Sequence, residues 1–331
     1  MLNEADHVRH LVDDLAAQDF DGEVSIFAAD GGSADGSPAK LRQAAADAGL
    51  DLTLLENPRR RAAPGLNVSL ERALDIDPDL IIRLDCHSHY PSDYFRRCAE
   101  VSQETGAWNV GGLFKPIGES LTQRATACAL ESPFGGHNWM PNRDRRGEVD
   151  TVFCGAFRPV VFELAGRYDE EVGTAEVEEL NIRIRKAGGR VVYDPSIWLT
   201  YAPRSSFRKL FVQYYRYGLN KVAVTVKHRQ VVSGRSLVPL VFAGSLTLLG
   251  AASLRLPVAR RLLAAELSVY GACALAFGVV AVRARRESWS LLPRVVAVFP
   301  VFHLAHGLGG GHGWLRAARG WRGCGSNSTR P

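Results

Sequence analysis

The sequence predicts an α/β domain of about two hundred residues followed by C-terminal transmembrane helices. Three observations carry that expectation. Short apolar runs alternate with segments of helical period over the first part of the chain. Two of those runs end in acidic turns: 24–29 leads into Asp30-Gly31-Gly32-Ser33-Ala34-Asp35-Gly36-Ser37, and 80–84 leads into Asp85-Cys86-His87. Nearly all long uncharged runs lie after residue 236. In open α/β sheets, ligands bind outside the carboxyl ends of the strands, so two carboxylates at two such ends can converge on one crevice. The glycines let a ligand approach the backbone, and a carboxylate with a nearby imidazole can hold a divalent cation. A nucleotide carrying a diphosphate needs both provisions. Singly, each turn reads equally well as a loop with a helix cap or as a plain strand-end turn; their order and pairing favour the nucleotide site.

The elements follow in order. A helix over 4–17 places Val8, Leu11, Val12, Leu15 and Ala16 on one face. An α/β domain of this kind normally opens with a strand, so the first strand is expected to be missing, or the start to be assigned too late. The segment 24–29 is a strand, 37–48 a helix, 51–56 a strand, and 63–75 a helix ending before Asp75-Ile76-Asp77-Pro78. A buried strand covers 80–84. Pro91 suits the first turn of a helix over 91–105. The stretch 109–113 reads as a strand, and 135–148, rich in Gly, Asn, Arg and Pro, as a mobile loop. A strand over 149–157 and a helix over 159–165 precede the turn Gly166-Arg167-Tyr168-Asp169. A helix over 176–187 is stopped by Gly188-Gly189, and 191–193 is a short strand. This rhythm implies a mostly parallel sheet with helices on both faces, in a domain spanning 1–203.

The formal net charge is +5, and the basic excess is local. Between Arg204 and Arg235 there are eight Lys or Arg residues and no Asp or Glu. Such a block suits an anionic surface; its place just before apolar runs favours membrane, with no nucleic-acid partner. Phe207, Leu210, Phe211, Tyr214, Tyr217 and Leu219 mix with Arg208, Lys209, Arg216 and Lys221. That pattern reads as a basic amphipathic helix in the interface, within a 204–235 segment; the bland alternative is a surface helix packed on the domain. Run 237–254 is uncharged and about 27 Å long as a helix. Run 262–282 is broken only by Glu266, and 291–308 is weaker, with Pro293, Arg294, Pro300, His303 and His306. Segment 236–310 therefore holds two to three transmembrane helices. Arg255, Arg260 and Arg261 lie in one connection, and Arg283, Arg285 and Arg286 in the next. Both cannot be cytosolic if each helix crosses once; a shallow first hairpin would resolve the conflict. The tail 311–331 is expected to be disordered. None of the six cysteines forms a C-x-x-C pair, which suits a reducing compartment and no disulfide framework.

At these residues the chain resembles a known family. Asn3-Glu4, the Asp30-to-Gly36 turn and Asp85-x-His87 look like the family 2 glycosyltransferases of the GT-A (nucleotide-diphospho-sugar transferase, Rossmann-like) fold. Arg83-Leu84-Asp85-Cys86-His87-Ser88-His89-Tyr90-Pro91, Asn109-Val110-Gly111-Gly112, Glu148-Val149-Asp150-Thr151-Val152 and Gln213-Tyr214-Tyr215-Arg216-Tyr217-Gly218 narrow the likeness to the membrane-anchored glucosyltransferases of succinoglycan-type exopolysaccharide assembly. Each motif is short; six in the expected order are specific. The resemblance covers about residues 1–230, and the membrane part only in kind.

The resemblance implies an inverting, hexosyl-transferring enzyme that uses a nucleotide sugar. Asn3, Glu4, Asp30, Gly32, Ser33, Asp35, Asn57, Asn67 and Asp85 match donor-binding positions. Asp85 and His87 would hold Mg²⁺ or Mn²⁺, the imidazole leaning toward Mn²⁺. Gly155, Gln213 and Arg216 match the acceptor and diphosphate end; for Arg216, lipid headgroups are an equal alternative. The family places its general base early in the helix read as 176–187, where this chain has Ala175-Glu176-Val177-Glu178-Glu179-Leu180-Asn181-Ile182-Arg183. Leu180, Asn181 and Arg183 keep the register, so Val177 stands at the base. Glu178, Glu176 or Glu179 is then the substitute, with Glu178 first; the alternative is that all three are surface residues of an impaired enzyme.

The expected protein is thus a glycosyltransferase of the bacterial inner (cytoplasmic) membrane with a cytosolic catalytic domain. It would move a sugar, glucose first, from a UDP-sugar to a lipid-linked or polysaccharide acceptor. Two rivals stand beside it: a polyprenyl-phosphate sugar transferase, whose anionic acceptor needs no base, and a catalytically impaired membrane scaffold with a GT-A fold.

Overall fold

The computed structural model describes residues 1–135, 144–232 and 234–321. It divides into two compact units, Met1–Lys115 with Asn142–Tyr201, and Pro116–Pro141 with Ala202–Pro331.

The first unit is the α/β unit. Helix α1 (Val8–Ala16) buries Val8, Leu11, Val12 and Leu15, the one-face spacing of an amphipathic helix. Val8 and Val12 pack with Leu41 and Ala44 of α2 (Ser37–Asp47). Strands β1 (Ile26–Asp30) and β2 (Leu52–Glu56) pair in parallel and bring Asp30 opposite Glu56. Helix α3 (Ala62–Leu74) follows. No strand precedes α1 among the described residues. At β1 the Met1 amino group donates to the Ala29 carbonyl, and the Met1 carbonyl accepts from Gly31 N at 2.9 Å.

The remaining strands form a second sheet in the order β3 (Ile81–Ile82), β7 (Phe153–Phe157), β5 (Asn109–Pro116), β8 (Val191–Tyr201), β4 (Ser88–His89), with β6 (Gly147–Glu148) also on β8. β3–β7, β5–β7, β4–β8 and β6–β8 are antiparallel. The expected mostly parallel sheet is therefore a mixed one. Between β5 and β7 stands α5 (Leu121–Glu131), a helix the sequence pattern did not single out, which belongs to the second unit; β5 and β7 pair antiparallel, so no parallel crossover joins them. The signal for α5 was present: Ser120 and Gln123 form a reciprocal capping box. The strand expected as buried over 80–84 is two residues long and half-buried, and the short strand at 191–193 runs on to Tyr201. Helices α4 (Tyr94–Thr105), α6 (Val160–Leu164) and α7 (Glu176–Lys186) stand close to where the periodicity puts them. Of the expected mobile loop, residues 136–143 lie outside the described residues.

The second unit comprises α5, α8 (Phe207–His228), α9 (Leu237–Ser253), α10 (Pro257–Ala284) and α11 (Leu292–Ala318). α8 is capped by Ser206, whose hydroxyl accepts from Lys209 N at 3.3 Å. It is no isolated interfacial helix: Leu210, Tyr214, Gly218 and Val222 are buried, and Tyr214 stacks on Phe302 of α11 with ring centres 4.1 Å apart. A Cβ on Gly309 would meet the Tyr215 carbonyl, and one on Gly218 the His306 carbonyl, so the two backbones touch because glycine stands at the crossing. Three helices, 234–253, 257–284 and 289–318, have the length and composition to cross a membrane. The tail expected to be disordered from 311 is helical as far as Ala318; residues 322–331 lie outside the described residues.

Candidate active site

The first acidic turn is built by its own backbone. Gly32 and Gly36 take φ of 75° and 84°, a region closed to most side chains. Asp30 Oδ2 accepts from Gly32 N and Ser33 N, each at 2.9 Å, and Oδ1 accepts from Ser33 Oγ at 2.6 Å. Burial would raise the Asp30 pKa; the Ser33 hydroxyl and the two amides outweigh it and hold the carboxyl below its ordinary value. Asp35 accepts from Ser37 and from Ala5 N, and these bonds pull it down to about 2. Asn3 N donates to Ser33 Oγ at 2.8 Å, Ala34 N to Asn3 Oδ1 at 3.0 Å, and Glu4 N to Ser37 Oγ at 2.8 Å. Asn3, Glu4, Asp30, Gly32, Ser33 and Asp35 are therefore one structural piece.

That piece reaches the second acidic turn through Glu4, whose Oε1 lies 3.9 Å from His87 Nδ1. His87 also packs on Tyr201, with ring centres 5.8 Å apart. Asp85 stands three residues beyond β3, half-buried, with Oδ1 3.6 Å from Arg83 NH2. Arg83 NH1 lies 3.2 Å from Glu176 Oε1, so one guanidinium bridges the two carboxylates. Burial works against the Arg83 charge, but Asp85 and Glu176 more than offset it and raise its pKa. In the sequence Arg83 stands within the apolar run with no role assigned to it. A cation inside an apolar strand run, two residues before Asp85 and so on the same strand face, was the available signal.

Two backbone features hold this arrangement. The β5–β7 register shifts between Val110 and Gly112, and Cys154 takes φ of 45° on the opposite strand. Such a bulge re-aims the chain next to a site. The Gly155 carbonyl accepts from Arg83 N at 3.1 Å, and the Cys154 carbonyl accepts from Tyr94 OH at 3.0 Å. A Cβ on Gly155 would lie 2.2 Å from Asn109 Oδ1, which requires glycine there on packing grounds alone. Asn109 Nδ2 donates to Asn181 Oδ1 at 2.8 Å, and Asn181 Nδ2 donates to Thr151 Oγ1 at 2.9 Å. These bonds set the rotation of α7, and with it the direction of its three glutamates.

Glu176 points inward to Arg83 and is 5% exposed; its Oε2 is buried without a hydrogen-bond partner. Burial pushes its carboxyl above the ordinary value, with Arg83 opposing. Glu178 is half-buried. Glu179 is fully buried and held by Arg183 at 2.7–3.1 Å through both carboxylate oxygens. Arg183 goes on to the Ala165 and Arg167 carbonyls, an arrangement that supports a structural role for Glu179 rather than that of a base. Glu179→Gln is accordingly expected to lower stability by about 1–3 kcal/mol, the cost of leaving a buried polar partner unsatisfied. Turnover per folded molecule should be retained. Denaturant unfolding beside active-site-normalised rates checks this, and a large rate loss at unchanged stability would restore Glu179 as a base.

Asn57 and Asn67 line a cleft of about 350 Å³ with Arg59, Glu71, Arg167 and Glu170. Asn57 N donates to the Asp30 carbonyl at 2.7 Å, tying this cleft to the first turn, and Asn57 Oδ1 is buried without a partner. Asn67 Nδ2 donates to the Tyr168 carbonyl and to Glu170 Oε1. Glu170, missed in the sequence, also pairs with Arg59. Gln213 and Arg216 lie on α8 in the second unit, where Gln213 Nε2 donates to Tyr217 OH at 2.9 Å and Arg216 is exposed.

Among the described residues no group of three or more His, Cys, Asp or Glu side chains forms a metal cage. A half-buried carboxylate just beyond a strand end still suits Mg²⁺ or Mn²⁺, hard ions that take one or two protein carboxylates and otherwise phosphate oxygens and water. Asp85 fits that demand. His87, the second expected ligand, is turned toward Glu4.

The family model described as glycosyl transferase family 2 matches residues 1–164. The chain is 31% identical over 312 residues to the succinoglycan biosynthesis protein ExoA of Rhizobium meliloti (strain 1021), covering 93% of this chain and 91% of that protein. It is 22% identical over 228 residues to the dolichyl N-acetyl-alpha-D-glucosaminyl phosphate 3-beta-D-2,3-diacetamido-2,3-dideoxy-beta-D-glucuronosyltransferase of Methanococcus voltae, covering 66% and 70%. Its fold is similar to the crystal structure of S. aureus TarS, with a TM-score of 0.50 at 14% identity over 92% of this chain. The chain spans about half of TarS, 53%. The TarS 1-349 crystal structure gives 0.50 at 11% identity, covering 96% of this chain and 90% of that one.

Proposed function

The chain belongs to glycosyl transferase family 2 and is a glycosyltransferase, and from that premise we propose an inverting enzyme that moves a sugar, glucose first, from a UDP-sugar to a lipid-linked glycan. The likeness to a succinoglycan biosynthesis protein over nearly the whole chain supports a place in exopolysaccharide or cell-surface polysaccharide assembly. The observation that carries the site is the joining of the two acidic turns: Asn3 and Glu4 are bonded to the Ser33–Ser37 turn while the Glu4 carboxylate reaches His87. Asp30, Asn57 and Asn67 would take the nucleoside, and Asp85 the diphosphate end. Three apolar helices and the acid-free basic stretch before them support a membrane enzyme whose α/β unit is cytosolic.

Glu176 is the proton acceptor in this reading. Its Oε1 is fixed by Arg83 and its Oε2 is unpartnered, which leaves one lone-pair face for a hydroxyl. It takes the acceptor O–H proton as that oxygen bonds to the anomeric carbon. The bond from that carbon to the diphosphate oxygen breaks on the opposite side, and the electron pair leaves with the nucleoside diphosphate. Configuration at the carbon inverts. Mg²⁺ or Mn²⁺ held by Asp85 would offset the charge on the leaving group. Arg83 orients both carboxylates.

The test is donor turnover in membranes carrying the full chain, with a panel of UDP- and GDP-sugars and lipid acceptors. UDP-glucose with a polyprenyl-diphosphate glycan is the expected productive pair. Exclusive use of a GDP-sugar, or of polyprenyl phosphate as acceptor, would overturn the assignment.

A further inference from the structure

We propose that α9 and α10 cross the bilayer as a hairpin and that α11 does not cross, but enters the cytosolic leaflet only to about mid-height of α10 and ends on the cytosolic side with α8. The inference rests on the membrane reading above and is independent of which sugar is transferred. All the contacts it uses lie within the second unit.

α9 and α10 are antiparallel: Phe242 stacks on Tyr270 with ring centres 4.5 Å apart, and Ser245 Oγ donates to Glu266 at 2.5 Å. Their closed end is the 254–256 turn, and their open end holds Leu237 and Ala284. α11 starts at the open end, where a Cβ on Gly278 would lie 3.0 Å from Val296 and 3.2 Å from Leu292. It then advances to Tyr270, whose OH lies 2.8 Å from His303 Nδ1. That is eight residues along α10, about 12 Å. Beyond His303 the advance stops. Gly307 sits against Pro239 and Ala243, and Gly310 and Gly311 against Leu240, which precedes the Phe242 already level with Tyr270. The last turns instead follow α8, with Gly309 on Tyr215 and Gly313 on Val222. A helix crossing the hydrocarbon would carry Gly313 about 30 Å beyond Leu292, on the far face.

The surfaces agree. Val241, Leu248, Leu254 and Val258 of the hairpin and its turn are 65–79% exposed, as lipid-facing residues should be. On α11 the buried set runs through Val295, Val298, Phe299, Phe302 and Ala305, and the exposed large residues, Leu308, Trp314 and Leu315, gather near its end. Tryptophan there suits a headgroup-level position. The connection from α10 to α11 is tied to α5 by ion pairs: Arg124 to Glu287, and Arg285 to Glu131 at 2.8 Å, with Arg285 also donating to the Pro116 carbonyl. Only residues 117–120 separate β5 from α5, too short a stretch to cross a bilayer, so this connection lies on the same side of the membrane as β5. The conflict between the two arginine clusters then disappears without a shallow hairpin. Arg283, Arg285 and Arg286 are cytosolic, and the turn near Arg255 is outside, where Arg260 Nε folds back on the Ser253 carbonyl at 2.6 Å.

Sidedness tests this in spheroplasts expressing the full chain with Leu256→Cys, Ser290→Cys or Arg319→Cys, treated with a membrane-impermeant maleimide; the parent's own cysteines give the background. All three positions are exposed. Leu256→Cys is expected to label in intact spheroplasts, and Ser290→Cys and Arg319→Cys only after permeabilisation. Labelling of Arg319→Cys from outside would establish a third crossing and overturn the proposal. Protection of Leu256→Cys equal to that of the other two would overturn the hairpin crossing. Neither readout depends on turnover, so failure of the donor assignment would leave the test intact.

Discussion

Asp85→Asn is expected to remove Mn²⁺-dependent donor binding and to cut turnover by about 10²–10³, the usual scale for losing one electrostatic contact to a developing charge. The carboxylate stands half-buried just beyond a strand end, and its loss leaves the fold supported. Arg83 keeps its contact with Glu176 at 3.2 Å, and the Asp85 backbone amide keeps its bond to Tyr90 OH at 2.7 Å. Calorimetric titration of a UDP-sugar with and without Mn²⁺, beside circular dichroism of the variant, separates binding from folding. Mn²⁺-dependent binding equal to wild type would remove Asp85 from the metal assignment. His87→Ala is the companion measurement. Because His87 faces Glu4, its loss should weaken donor binding less than the loss of Asp85 does.

Glu176→Gln is expected to lower turnover by about 10²–10⁴, the range of general base catalysis, with little change in donor affinity. Glu178→Gln should lower it far less. The pH profile gives a second readout. Burial raises the Glu176 pKa, and the neighbouring Arg83 charge opposes that rise. A base must be ionised to act, so the acid limb of turnover should lie above the ordinary glutamate value. Arg83→Gln removes the opposing charge, so the Glu176 pKa rises further and the limb moves to higher pH. Arg83→Lys keeps the charge and should leave the limb nearer its wild-type position, which also guards against a variant that fails to fold. An acid limb unmoved in a folded Arg83→Gln, with Glu178→Gln as the damaging substitution, would transfer the role to Glu178.

Much of the candidate site is legible in the sequence. The Asp30-to-Ser37 turn announces itself because its chemistry is local: two glycines in the left-handed region and side chains that cap amides within three residues. Asp85 is a candidate for the same reason, as an acidic residue at the end of an apolar run. The three glutamates of α7 were not separable in sequence. Successive helical residues point about 100° apart, so the helix's rotation decides which faces the site. Here that rotation depends on Asn181 bonding to Asn109 and Thr151, residues distant in the chain. Arg83 and Glu170 were passed over because their roles exist only through partners brought in from α7, the 57–61 segment and α3.

The sequence by itself determined most of the helices and strands in their order, though not α5, β4 or β6, and with them the acidic turns, the basic stretch and the three apolar helices, since each depends on period, turn chemistry or hydropathy within a short window. The tertiary structure alone decided the direction of the strands, the membership of α5 in the second unit, the 11-residue extent of β8 and the course of α11. A strand's apolar run is the same whichever way its neighbour runs, and an apolar helix satisfies hydropathy equally well in lipid or against other helices. What distinguishes those outcomes is pairing over long sequence separations, such as β5 with β7 or Gly218 with His306, and no local pattern contains it.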